Sequence, residues 1–288
     1  MKPASVTAFC PGHISGYFKR VHGTTIATTG SIGAGIVISH GVTATVQKAD
    51  VTSILVNHIT SSGKKETVAM ESPLLSSVIR ELGITASVVT ECTLPIGAGF
   101  GLSAAALLAT LTALNRLNEL QMPEHQIAQI AHNAEVTHRT GLGDVAACQN
   151  GGWVVRNGPG VDAVIDRRFD QDMPVYAISF GPIHTPTVLG SQEQMDRVSA
   201  AFPLQSPKTL PEFFQISRQF AQDSGLMTQN VEMVLEHCTK QGIPASMTML
   251  GNGVFACGRE AGVLLSEFGR VYECTIAHQG TRILGDLP

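Results

Sequence analysis

The sequence predicts an α+β protein built as two lobes. Three observations predict it. β-Branched runs fill much of the first 60 residues, and a nearly all-apolar helical stretch follows Gly97, Gly99 and Gly101. Beyond residue 175, three helical stretches separate one strand from a later strand pair. With 288 residues, 43% of them hydrophobic, the chain is long enough for two lobes, expected at 1–168 and 169–288.

The elements follow in order. "SVTAFC" (5–10), 33–47 and 51–60 are rich in Val, Ile and Thr and read as strands. "SSGKKE" (61–66) reads as a hairpin turn. "PLLSSVIREL" (73–82) reads as a helix ending at Gly83, and 84–92 as the strand that enters the glycine loop. Residues 103–117 are apolar on every face, which predicts a buried helix. A further helix starts at Pro123 and runs to about His138, where "RTGLGD" (139–144) breaks it. Strands are expected at 151–156, 161–166, 175–180, 245–250, 254–258 and 271–277. Gly251-Asn252-Gly253 is expected to turn the 245–258 hairpin. Helices are expected near 190–202, 208–223, 229–241 and 259–269, and the polar stretch 167–174 marks the boundary between lobes.

Composition excludes several classes. A net charge of −4 without a basic block gives no footprint for nucleic acid. No apolar run approaches membrane length, and the N-terminus lacks the cationic start and apolar core of a signal peptide. Six scattered cysteines without a C-x-x-C pair read as buried reduced thiols, which suits the cytoplasm.

Three glycines one apart ask for close approach to the backbone. A strand, a glycine loop and a helix N-terminus together form an anion site, because the first-turn N–H groups lack partners and the dipole is positive there. It is not a Walker A loop, since no Lys lies between 66 and 120. Nor is it a Rossmann fingerprint, since Leu102 stands where the sixth-position glycine belongs.

The remaining pattern, Pro95-x-Gly97-x-Gly99-x-Gly101-x-Ser103-Ala-Ala, resembles the central motif of the GHMP kinases. "CPGHISG" (10–16) stands where that superfamily carries a Pro-Gly motif, and "MLGNGVFACG" (249–258) where it carries a third glycine motif. "CPGHISGYF", "TGLGDVAA" and "SFGPIHTPTVL" look most like an archaeal member acting on a small hydroxy acid. The resemblance implies a GHMP kinase fold, with a ribosomal S5 domain 2-like N-terminal lobe and a ferredoxin-like C-terminal lobe. It implies ATP with its phosphates over Pro95, Gly97, Ala98, Gly99, Phe100, Gly101, Leu102 and Ser103. Mg2+ would be held by Ser103 and Glu135, and Asp144 would stand beside the reacting hydroxyl. Two departures stand out: Leu102 replaces a frequent serine, and His13 stands where many members carry lysine.

Other residues have two readings. Ser103 and Asp144 also suit helix N-terminal positions. Glu135 sits among Ala131, Ala134 and Val136, where a carboxylate wants a cation. His132 lies one turn before Glu135 on the same face. Arg156 is a candidate fork for a substrate carboxylate, with Arg20 and Arg139 as competitors. His13, Thr28, Thr29 and Ser31 are candidate substrate contacts, and His184 approaches from the second lobe. Homoserine, shikimate or mevalonate as acceptor, a nucleotide-binding regulator without catalysis, and a homodimer all remain open.

Overall fold

Alternating small and β-branched residues over the first 48 positions build two long paired strands, β1 (Ser5–Val21) and β2 (Gly30–Lys48). The computed structural model describes residues 3–169 and 173–287. There follow β3 (Ser53–Ile59), β4 (Lys65–Ala69), α1 (Pro73–Glu81), β5 (Ala86–Cys92), α2 (Leu102–Asn118), α3 (Glu124–His138) and α4 (Asp144–Cys148). Next come β6 (Trp153–Arg156), β7 (Ile165–Arg168), β8 (Pro174–Pro182), α5 (Thr185–Gly190), α6 (Gln192–Ala200), α7 (Leu210–Asp223) and α8 (Gln229–Lys240). The chain ends with β9 (Ala245–Met247), β10 (Gly251–Cys257), α9 (Ala261–Ser266), β11 (Tyr272–Thr275) and β12 (Arg282–Leu287).

Among the described residues, the strands form two sheets. The larger runs β12-β1-β2-β5-β3-β4, with β6 added on β2 and β7 on β6. The length of β2 explains the branching: Gly33–Ile36 pair with β6, while Val42–Lys48 pair with β5. One strand serving two neighbours along its length curls the sheet. The smaller sheet, β11-β8-β10-β9, is antiparallel throughout.

α2 lies buried on β1 and β2, and its buried residues face all round, as the apolar sequence predicts. Trp153, Phe213, Phe214 and Phe255 pack in tilted and edge-on contacts between the sheets and give both one continuous core. All six cysteines are free and buried. No helix among the described residues is long and apolar enough to cross a membrane.

Several expectations shift. "CPGHISG" is not a loop after the first strand but part of β1, which continues to Val21. Bulges between Pro11 and Gly12 and between Ser15 and Tyr17 absorb the proline and the bend. The turn expected at 61–66 is shorter, and Lys65 already opens β4. The strand expected at 161–166 forms only from Ile165. The hairpin turns at residues 248–250, with Leu250 at φ +59, so the Gly-Asn-Gly stretch opens β10 instead. The boundary stretch 167–174 includes residues 170–172, which lie outside those described, while Arg167 and Arg168 close β7. β12, absent from the sequence reading, returns to the first sheet and covers the outer edge of β1.

Candidate active site

Three positive-φ glycines let the loop after β5 touch three separate segments. Gly97, Gly99 and Gly101 have φ of 77°, 82° and 61°. A methyl on Gly97 would stand 3.0 Å from Pro182 at the end of β8, and on Gly99 2.8 Å from the Met249 carbonyl. On Gly101 it would stand 3.0 Å from the His13 carbonyl. Ile183 N–H donates to Gly97 C=O at 3.0 Å, and His13 N–H to Phe100 C=O at 3.0 Å. Gly251 packs its own backbone against Ala98, so the third glycine motif serves loop-on-loop packing. No side chain caps the start of α2. Its first-turn donors are therefore available to an anion.

The loop forms one wall of a cleft of about 1040 Å³. Pro95, Gly97, Gly99, Phe100, Gly101, Leu102 and Ser103 line it, while Ala98 is buried beneath. Ser15, Ser31, Asp144, Arg156 and His184 line the other walls.

The chemistry gathers where α2, α3 and α4 meet. α3 ends at Arg139 in the left-handed conformation, φ +57°, and Thr140 N–H bonds back to Glu135 C=O at 3.0 Å. That reversal brings Asp144, the first residue of α4, beside Glu135. Gly141 and Gly143 make room for it. A methyl on Gly141 would collide with Glu135 Oε2 and stand 3.0 Å from Asp144 Oδ2, and one on Gly143 would collide with the Arg156 guanidinium. Ser103 Oγ donates to Glu135 Oε1 at 2.5 Å, and Thr140 Oγ1 donates to the same oxygen at 3.1 Å. Among the described residues, Glu135 Oε2 is buried without a hydrogen-bond partner.

The two carboxyl groups are driven apart. Burial first, then the Asp144 charge, pushes Glu135 up to about 8. Burial also raises Asp144, but the His13 hydrogen bond, with the Arg156 charge, outweighs it and the net shift is downward. Asp144 is thus the ionised member and Glu135 the one that holds a proton near neutral pH. Full burial lowers His13, so its imidazole is neutral and donates to Asp144 Oδ1 from Nδ1 at 2.7 Å. Arg156 is almost completely buried on β6. It donates from one guanidinium nitrogen to Ser31 Oγ at 2.9 Å and to Ser31 C=O at 3.1 Å, and among the described residues its Nε lacks a partner.

The structure therefore brings Ser103, Glu135, Asp144, His13 and Arg156 together at the end of the glycine loop. Other expected contacts fall elsewhere. Thr28 and Thr29 are absent from the cleft walls among the described residues, and both hydroxyls bond to Thr25 C=O within their own turn. His132 is buried and donates from Nε2 to Thr29 C=O at 2.8 Å, pinning that turn. Arg20 reaches Leu189 C=O at 3.2 Å, and Arg139 is exposed at its left-handed cap. Sequence reasoning missed Thr140, although it stands inside the "RTGLGD" break, five residues from the carboxylate it bonds.

A metal ion here finds hard oxygen donors. Among the described residues, no three His, Cys, Asp or Glu side chains cluster as a cage. The Asp144 carboxylate, the Ser103 hydroxyl and the Glu135 carboxyl, whose proton a cation would displace and whose Oε2 is orphaned, instead suit Mg2+, which keeps few protein ligands and shares phosphate oxygens and water. An ionised carboxylate facing an anion-binding loop can orient a hydroxyl and take its proton.

The family "GHMP kinases N terminal domain" matches residues 70–152, which span the glycine loop, α2, α3 and α4. The chain is 44% identical over 284 residues to a curated pantoate kinase of Methanospirillum hungatei JF-1, covering 99% of this chain and 98% of that protein. It is 31% identical over 294 residues to a pantoate kinase of Thermococcus kodakarensis, covering 93% and 94%. A solved structure described as a phosphotransferase related to the CoA biosynthesis pathway superposes with a TM-score of 0.81 at 25% identity, covering 98% of this chain and all of that one.

Proposed function

The chain belongs to the GHMP kinases, and on that premise we propose that it phosphorylates pantoate at its primary hydroxyl with ATP, giving 4-phosphopantoate for coenzyme A synthesis. The observation that carries this reading is the ionised Asp144 beside Ser103 and Glu135, at the mouth of a glycine loop, in a chain 44% identical to a pantoate kinase.

ATP lies with its phosphates along residues 97–101 and the uncapped start of α2. Ser103 and Glu135 would hold Mg2+, and the orphaned Glu135 Oε2 supports that assignment. When bound, the metal offsets charge on the phosphoryl oxygens. Arg156 takes the pantoate carboxylate, with Ser31 steadying its guanidinium. Asp144 orients the hydroxyl and accepts its proton as the new oxygen–phosphorus bond forms and the bond from γ-phosphorus to the bridging oxygen breaks. ADP leaves with the bridging oxygen. The protein does little covalent work, so alignment along the loop supplies most of the rate. Six reduced thiols fit a cytoplasmic enzyme.

An acceptor panel tests the substrate. Purified protein with ATP and Mg2+ releases ADP rapidly with pantoate, and at background rates with homoserine, shikimate or mevalonate. Faster release with any of those three overturns the pantoate assignment. Nucleotide binding without acceptor-dependent release overturns the kinase reading.

A further inference from the structure

We infer that His13 is a positioning residue, holding the Asp144 carboxylate in register with the glycine loop through the hydrogen bond from its Nδ1. The inference rests on Asp144 as the group that faces the acceptor hydroxyl.

The geometry begins with burial. The His13 side chain is 0% exposed, whereas that of Asp144 is 21% exposed and lines the cleft. His13 therefore stands behind Asp144, where the expected direct contact with substrate is replaced by a contact with the residue that makes one. Both ends of the residue are committed. Its main-chain N–H holds Phe100 C=O at 3.0 Å, and its side chain holds Asp144 Oδ1 at 2.7 Å. One residue of β1 thus sets the distance between the loop that aligns the phosphates and the carboxylate that aligns the acceptor.

The ring has one orientation that works. Among the described residues His13 Nε2 is buried without a partner, and it abuts Gly35 so closely that a methyl there would collide with it. A second proton on Nε2 would find no acceptor in that direction. The single proton belongs on Nδ1, pointing at Asp144. The bond from His13 to Asp144 thus ties α4 to β1.

The other charge beside Asp144 shows what the bond resists. Arg156 attracts it from β6. Without the His13 donor, the carboxylate is free to turn toward Arg156 and away from the acceptor hydroxyl. A positioning role of this kind acts on kcat rather than on substrate affinity.

The test compares His13→Leu with His13→Asn, whose amide nitrogen takes the place of Nδ1. His13→Leu lowers kcat about 100-fold and leaves both KM values within about threefold. His13→Asn restores kcat to within about tenfold of the unaltered enzyme. Thermal melts accompany both, and if the leucine variant does not fold, a folded asparagine variant decides alone. A folded His13→Asn enzyme as slow as a donor-less one overturns the inference. So does a His13→Leu enzyme whose only defect is a raised KM for the acid, since that marks a direct substrate contact. Unaltered protein that fails to phosphorylate pantoate defeats the functional reading instead, and the two failures are told apart by that control.

Discussion

Ser103 donates its hydroxyl to Glu135 Oε1 at 2.5 Å, which joins the first turn of α2 to α3 beside the glycine loop. On the proposed assignment, the serine oxygen and the orphaned Glu135 Oε2 would serve one cation. Ser103→Ala is expected to raise the Mg2+ concentration needed for half-maximal rate about tenfold. Glu135→Ala is expected to cut the rate by about 10³. Titrating activity against Mg2+ checks both, and an unchanged metal dependence contradicts the assignment.

Glu135 also marks the ligand-free protein with a pH signature. Its pKa is raised from 4.5 to about 8, so folding favours the protonated form. That favourable term is complete below the ordinary carboxylate pKa and is lost as pH rises through about 8. Glu135→Gln mimics the protonated group at every pH. It should therefore raise Tm by about 5 °C near pH 9 and leave it unchanged near pH 4. Melts across that range check the sign, and a gain confined to low pH contradicts it.

Arg156 is buried and bonded to Ser31, so its role is read best from a split in kinetic constants. Arg156→Lys keeps the charge and loses the planar fork. The KM for pantoate is expected to rise about 30-fold, with the KM for ATP unchanged. Steady-state kinetics on both substrates check this, and a defect confined to ATP removes Arg156 from the acid pocket.

Gly99 carries the loop packing. Its φ of 82° and its 2.8 Å clearance to the Met249 carbonyl leave no place for a methyl. Gly99→Ala is expected to cost about 2 kcal/mol of stability and to weaken ATP binding at least tenfold. Denaturant unfolding and nucleotide titration check the pair, and wild-type values for both contradict it.

Much of this site was legible in the sequence, for physical reasons. The spacing of Gly97, Gly99 and Gly101 before an all-apolar helix announced a loop that lies close to other backbone, and Ser103 and Asp144 fell at helix starts with Glu135 in the last turn of α3. The purpose of each glycine was not legible, because Gly99 answers to Met249 and Gly101 to His13, more than 80 residues away in the chain. Distance in sequence also hid β12 and the role of His13, whose partner lies 131 residues on. Thr28 and Thr29 looked like ligand hydroxyls because a glycine turn offers the same residues for its own hydrogen bonds as for a substrate. The strand through "CPGHISG" was missed because its proline and glycines read as a loop, while paired bulges carry them inside β1.

The most direct test identifies the product itself. Phosphorus NMR of a reaction with pantoate, ATP and Mg2+ should show 4-phosphopantoate growing in step with ADP. Asp144→Ala should bind ATP normally and form the product about 10³-fold more slowly. A phosphorylated compound other than 4-phosphopantoate, or a normal rate from Asp144→Ala, would contradict the account.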